Sequence, residues 1–313
     1  MNVLITGCSG FIGRNCVKYY IDLGFNVYGI DLKICNYTDK KFTFQKTNFL
    51  DFSEYRECMI LFKPDYIIHL AAQTGMNSND PSDFDFNYKS ILVINEIINH
   101  VRTIRKVIFT SSLLVCKNGY IPYNDNDYCP PNGYGHSKSL SEIYVRKYIK
   151  NCKWDIVRPT SVWGPYFNGG YKLFFTICKL NLFFFPKTVP ILKPTTFVLN
   201  AIYMIHKILL NNGSSRTFYL ADYPCISVQD WASEILLQCG HNKLKTVNLK
   251  LMFFIASICD IMNKFIKIIP FSTFRLNNML TNQVYPTDAL EEIVGELPYS
   301  LKKSVNITLG NDE

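Results

Sequence analysis

Val3-Leu-Ile5, running into Thr6-Gly7-Cys8-Ser9-Gly10-Phe11-Ile12-Gly13, decides the fold. A short apolar run fits a strand buried on both faces, and the helical pattern after it continues to Leu23, where Gly24 stops it. Strand, glycine-rich turn and helix in that order build a dinucleotide site. Small residues let the backbone approach a pyrophosphate, and the helix start supplies N–H donors, so Gly7, Gly10, Phe11, Ile12 and Gly13 are candidate contacts. The plain alternative is an ordinary strand-to-helix turn packed tightly through glycine, and on this stretch alone the two readings stand even.

The next strand tips the balance. Phe25-Asn-Val-Tyr-Gly-Ile30 ends at Asp31, where a carboxylate can accept both hydroxyls of an adenosine ribose and repel a 2′-phosphate. That favours NAD over NADP, although Lys33 lies close enough to soften the discrimination. A turn or cap residue is the simpler account of Asp31.

Tyr134-Gly-His-Ser-Lys138 places a phenol and an ammonium four residues apart in a predicted helix, on one face. An ammonium about 4 Å from the phenol oxygen, at an effective dielectric near 20, would favour the phenolate by roughly 4 kcal/mol. That is about three pKa units, enough to make Tyr134 a base near neutral pH. In isolation such a pair is far more often a half-buried ring and a surface charge.

Taken together, the Gly7/Gly10/Gly13 spacing, Asp31, His69-Leu-Ala-Ala72, Asn87, Thr110-Ser-Ser112 and Tyr134-x-x-x-Lys138 resemble the extended short-chain dehydrogenase/reductase family, in its branch of sugar epimerases, dehydratases and ketoreductases. The strong motifs cover roughly the first half of the chain. The resemblance implies an α/β fold: a Rossmann-like doubly wound parallel sheet over residues 1–165 carrying NAD, and a smaller mixed α/β substrate lobe over 166–313, part of 195–222 returning to the first domain. It implies Ser112, Tyr134 and Lys138 as the catalytic set, Lys138 also binding the nicotinamide ribose. Asn48 and Phe49 fall where relatives carry an acidic and an aliphatic residue beside the adenine, and Leu70, Ala71 and Ala72 pass behind the nicotinamide ribose. Asn87 is counted with the cofactor set and expected to brace the active-site strand.

Departures from the family pattern narrow the chemistry. The 4,6-dehydratases need an Asp-Glu pair straight after the hydroxyl residue, where this chain has Leu113-Leu114, and the decarboxylating relatives need a Glu at the second position. What survives is 4-epimerisation, or reduction of a 4-keto sugar. Ser161 stands where many nucleotide-sugar epimerases have Asn, and Lys193-Pro-Thr-Thr-Phe197-Val-Leu-Asn200 lacks their Arg-Asp-aromatic sequence. The second half is also similar to bacterial epimerases of undecaprenyl-diphosphate-linked sugars, so the expected substrate is an activated sugar on a nucleotide or lipid diphosphate.

Smaller readings complete the chain. Asp51 or Ser53 is expected to cap a helix through Phe62, Asp80-Pro81 to open a long helix toward His100, and Ser227 to cap another. Tyr171 to Phe185 and the basic amphipathic segment Leu249 to Ile269 are read first as core helices of the second lobe and second as a surface that meets lipid. A homodimer through the segments after Ser82 and Tyr134 is expected by resemblance.

Composition sets the outer limits. The 313 residues, 48% hydrophobic and 19% charged, belong to an ordinary globular chain with a sizeable core. A formal charge of +8 without a long basic run argues for an anionic substrate or surface and against nucleic acid. Eleven scattered cysteines with no C-x-x-C pair imply neither a zinc site nor a disulfide framework. With Met1 leading directly into a strand, they point to a cytoplasmic protein, expected free or at the inner face of the membrane.

Overall fold

The computed structural model describes residues 1–75, 78, 80–167, 170–242, 244–266 and 271–310. Its central sheet is parallel throughout. β1 (Asn2–Thr6) lies in the middle, flanked on one side by β2 (Asn26–Asp31) and β3 (Phe42–Lys46), and on the other by β4 (Tyr66–His69), β5 (Lys106–Thr110) and β6 (Lys153–Pro159). The strand order reverses at β1, which puts the crevice for a ligand at the carboxyl ends of β1 and β4.

Alternation along each strand feeds two cores. Val3, Ile5, Val27, Ile68 and Ile108 face one layer, while Leu4, Tyr28, Ile67, Val107 and Phe109 face the other. Helices cover both faces, as a wholly parallel sheet requires. The first layer is closed by α1 (Phe11–Asp22), which buries Cys16, Val17 and Tyr20. In the second layer, α2 (Arg56–Phe62) contributes Met59, α3 (Asp85–His100) contributes Ile91, Ile94 and Ile97, and α4 (Gly133–Tyr148) contributes Val145.

Past β6 the chain forms β7 (Ser161–Trp163), α5 (Gly170–Lys179), β8 (Phe184–Pro186) and β9 (Thr195–Phe197), then α6 (Val198–Leu210) and β10 (Arg216–Leu220). β10 pairs in parallel with the outer edge of β6, with Arg216 opposite Asp155 and Leu220 opposite Pro159. α6 packs against α1 in the first layer, burying Ile202, Ile205 and Ile208. Lys106 Nζ closes its far end, donating to the carbonyls of Ile208 (2.6 Å), Asn211 (3.0 Å) and Gly213 (2.9 Å) while paired with Asp155 at 2.6 Å. The remaining elements are α7 (Val228–Gln238), β11 (Lys245–Val247) beside β8, α8 (Leu249–Ile266), α9 (Thr273–Leu280), α10 (Asp288–Val294) and α11 (Leu301–Leu309).

Three sequence readings need correction. Neither Asp51 nor Ser53 caps α2: a short 3-10 turn, Phe52–Glu54, intervenes, and Asp51 makes no side-chain cap bond. Asp80 does accept from Ser82 N at 2.9 Å, but it opens a 3-10 turn (Pro81–Phe84) that precedes α3. The apolar run from Tyr171 to Phe185 is not one helix; α5 ends at Lys179, Asn181 takes a left-handed φ of 56°, and the chain continues as β8. Ser227 caps α7 as expected, accepting from Asp230 N at 3.0 Å. The segment read as running to Ile269 is helical to Ile266, and its last three positions lie outside the described residues.

Candidate active site

The glycine turn is shaped by close backbone contact. A Cβ on Gly7, whose φ is +72°, would lie 2.7 Å from Ala71 N, and one on Gly13 would lie 2.1 Å from Gly7 O. Glycine is therefore required for β1, the turn and the β4 exit to meet. Gly10 sits at the N-cap of α1 and offers no side-chain acceptor, so the first N–H groups of the helix, on Phe11, Ile12 and Gly13, have no side-chain cap. α4, α7, α9 and α11, by contrast, are each closed by an Asn or Ser side chain. An uncapped helix start facing a turn that only glycine can form fits a pyrophosphate.

Asp31 stands at the end of β2, tied to the same turn. Its Oδ2 accepts from Ser9 N at 3.0 Å and its Oδ1 from Lys33 N at 2.9 Å. Each oxygen keeps a lone pair for a ribose hydroxyl. Asn48 Oδ1 accepts from Leu50 N at 3.1 Å, and the Phe49 ring is buried, stacked against Tyr55 at 5.8 Å and beside His69 at 5.4 Å. The Phe49 side chain thus serves the core.

At the β4 exit the polar groups form a closed chain. Ala71 N donates to Thr6 Oγ1 (3.2 Å), which leaves the Thr6 hydroxyl proton for His69 Nδ1 (2.8 Å). Ser90 Oγ donates to Asn87 O, so it accepts from His69 Nε2 at 2.8 Å. The donor accounting assigns His69 the Nε2–H neutral tautomer. Burial, with Lys138 adding to it, pushes His69 down to about 3. Asn87 accepts from Gln73 N (2.8 Å) and donates to Gln73 O (3.0 Å) and Ser137 Oγ (2.9 Å), bracing the β4 exit, next to Leu70, Ala71 and Ala72, against α4.

α4 carries Tyr134 and Lys138. Asn132 caps it through Gly135 N at 2.8 Å. A Cβ on Gly135 would sit 2.2 Å from Leu114 O, so glycine lets the helix start approach the loop after β5. That approach brings the Tyr134 hydroxyl to Ser112, whose own Oγ accepts from Leu114 N at 3.1 Å. Leu113 and Leu114 form the 3-10 turn immediately beyond.

Lys138 is buried, and its ammonium donates to Thr110 O at 2.8 Å. The expected acidification of Tyr134 by Lys138 is not what the structure has. Burial pushes the phenol up to about 12, and the relief comes from the Ser112 hydroxyl. Lys138 itself is pulled down to about 8 by burial, with the Glu142 carboxylate opposing the fall. The reason is direction: the amine turns to the end of β5, which needs a donor, and the phenol to Ser112.

Sequence reasoning missed the group behind Lys138. Glu142, one helical turn on, accepts from Ser111 Oγ (2.6 Å), Arg158 Nε and Nη2 (both 2.8 Å), Arg146 Nη1 (3.1 Å) and the Tyr128 hydroxyl (3.1 Å). Burial works against its charge, but the Arg158 hydrogen bonds hold its carboxyl below the ordinary range. Also missed was the Ser161 hydroxyl, which opposes the rise that burial gives the Tyr171 phenol. The only sequence signal for the Glu142 cluster was the spacing from Lys138.

A family model, the NAD dependent epimerase/dehydratase family, matches residues 3–179. This chain belongs to that family. Among curated relatives, Protein CapI of Staphylococcus aureus is 25% identical over 201 residues, covering 58% of this chain and 60% of its own length. UDP-glucose 4-epimerase of Mycolicibacterium smegmatis is 29% identical over 182 residues, covering 53% and 57%. The chain thus spans less than two thirds of the length of either relative. Among solved structures, the Bordetella bronchiseptica enzyme WbmG in complex with NAD superimposes with a TM-score of 0.73 at 15% identity, over 99% of this chain and 93% of that one. In this family member the matched span ends with α5, so β10 and the helices after it lie beyond the match.

Proposed function

We propose that the chain is an NAD-dependent 4-epimerase of an activated sugar, acting in the cytoplasm in surface-polysaccharide or O-antigen synthesis. The observation that carries this is the Tyr134–Ser112 contact with buried Lys138 behind it, beside a turn in which Leu113 and Leu114 occupy the places of a dehydratase's acids. NAD would supply the hydride acceptor and donor for the sugar C4. Gly7, Gly10, Phe11, Ile12 and Gly13 would hold its pyrophosphate, Asp31 its adenosine ribose, and Lys138 its nicotinamide ribose.

Ser112 polarises the sugar 4-oxygen, and Tyr134 exchanges a proton with it. The protonated phenol suits the reductive half, in which the 4-keto oxygen gains a proton. In the oxidative half Tyr134 must accept one, and the Ser112 hydroxyl is the group beside it that favours that state. Epimerisation follows when the keto sugar turns over before hydride returns to its other face. Two apolar side chains after Ser112 can neither protonate a C6 hydroxyl nor abstract a C5 proton, so 4,6-dehydration is excluded from the reading. Asp31 supports NAD over NADP, because its carboxylate repels a 2′-phosphate.

A second reading is a 4-keto-sugar reductase consuming NAD(P)H on a nucleotide-linked sugar. A third keeps the epimerase but moves the sugar to undecaprenyl diphosphate. It is favoured by Ser161, which stands where many nucleotide-sugar epimerases have Asn, and by the stretch Lys193 to Asn200, which lacks their Arg-Asp-aromatic sequence before the returning helix. A homodimer would form through α3 and α4, where Leu92 and Ile143 are exposed.

The deciding experiment mixes purified protein with candidate sugars and follows absorbance of the reduced nicotinamide. Product without net change in reduced cofactor is expected. Steady mole-for-mole consumption would replace the epimerase by the reductase. NAD binding without turnover of any candidate sugar would reduce the chain to a non-catalytic dinucleotide-binding protein, and a Tyr134→Phe variant as active as the parent would remove Tyr134 from the chemistry.

A further inference from the structure

α8 turns an apolar stripe to solvent. Leu251, Phe254, Ile255, Ile258, Ile261 and Met262 are all exposed, Phe254 by 64% and Ile261 by 58%. Their spacing of i, i+3, i+4, i+7, i+10 and i+11 places them on one continuous face. The opposite face is already partnered: Met252 and Ala256 are buried against Leu276 of α9, with Phe271 and Leu280 packed beside them. Phe274 of α9, 73% exposed, adds to the apolar surface of this helix pair. Such a stripe is too continuous to be the scattered exposed apolar residues of an ordinary surface.

The charge that the sequence carries through this segment points to what covers it. From position 243 to 275 the sequence carries Lys243, Lys245, Lys250, Lys264, Lys267 and Arg275 against Asp260 alone, a net +5 within a chain whose total is +8. Asp260 does not offset this outward, because its carboxylate accepts from Thr273 N (3.1 Å) and Thr273 Oγ1 (2.5 Å) inside the helix pair. No described helix is long and apolar enough to cross a membrane, so the stripe cannot be a span. A helix with one apolar face and basic flanks instead lies in the plane of a bilayer interface. A second copy of the chain is the poorer partner, since a two-fold interface sets each patch against itself and would bring the two basic rims together.

We propose that α8 docks on an anionic lipid bilayer, its apolar stripe entering the headgroup boundary and its lysines meeting lipid phosphates. The inference stands apart from the catalytic reading, and its test reads binding alone. Full-length protein is sedimented with phosphatidylglycerol–phosphatidylcholine vesicles and with phosphatidylcholine vesicles. Binding is expected to the anionic set and to weaken as salt rises. Phe254→Ser with Ile258→Ser should lose roughly tenfold or more in partition, since two large apolar groups no longer leave water. Lys250→Gln should lose roughly fivefold. Both sites are exposed, so an unchanged melting temperature confirms that the variants fold. Three results would overturn the proposal: no partition of the parent, equal partition to both vesicle types, or a double variant that binds as the parent does. A concentration-dependent dimer abolished by the double variant, without vesicle binding, would hand the face to a second copy.

Discussion

Arg158 grips Glu142 through both carboxylate oxygens, Nε to Oε1 and Nη2 to Oε2 at 2.8 Å each, with each side chain only 1% exposed. The pair joins β6 to α4 one turn beyond Lys138. Removing the Glu142 charge leaves the Arg158 guanidinium buried without a carboxylate partner.

Glu142→Gln should therefore destabilise the chain by about 3–5 kcal/mol, measured by urea unfolding. It should also remove the carboxylate that opposes the fall of Lys138, so that if activity needs the ammonium, its alkaline limit, placed by Lys138 near 8, moves to lower pH. A pH–rate profile unchanged in the surviving folded enzyme would show that Glu142 acts on stability alone.

Tyr134→Phe removes the hydroxyl proposed to exchange the proton while leaving the ring beside Phe84, 6.0 Å away. Turnover should fall by about 10²–10⁴-fold with NAD affinity nearly intact. Calorimetric NAD titration beside a sugar-conversion assay separates the two. Equal losses in binding and turnover would count against a chemical role.

Asp31→Ala deletes the carboxylate that holds Ser9 N and Lys33 N and is assigned to the adenosine ribose. NAD affinity should drop by roughly tenfold or more, as expected for losing charged hydrogen bonds of about 1.5–3 kcal/mol. NADP affinity should drop less, because a repulsion goes with the carboxylate. A parallel fall for both cofactors would remove Asp31 from the discrimination.

His69 is neutral in the fold, pushed down to about 3, whereas an unfolded histidine titrates near 6.5. Between those values the unfolded chain binds a proton that the folded chain refuses. Stability should thus decline as pH falls from about 6.5 toward 3, by up to a few kcal/mol, alongside the carboxylate contribution to acid unfolding. His69→Gln should flatten part of that slope in a pH series of thermal melts.

Much of the nucleotide half was legible because its signals are local. The Val3–Ile5 run, Gly7 and Gly13 announce a strand and a turn within a dozen residues, and the burial of both strand faces follows from their periodicity. The Glu142–Arg158 pair was not legible: the two residues are 16 apart in sequence, and nothing local announces that β6 packs behind α4 and brings them together. The end of α5 was hidden because the apolar run continues through Asn181, one of the few non-glycine types that tolerate a left-handed backbone. Tyr134 and Lys138 were found from spacing, but spacing could not say that the amine would choose the Thr110 carbonyl over the phenol.

The pairing of β10 with β6 has a consequence for synthesis on the ribosome. A nascent chain that has emerged only as far as Trp163 lacks Tyr219, which takes the Arg158 Nη1 bond at 3.0 Å, and the three carbonyls that hold Lys106. Until residue 220 clears the exit tunnel, the last strand of the half-made sheet is a bare edge open to other chains. A fragment ending near 165 should accordingly aggregate, and one extended past 222 should not.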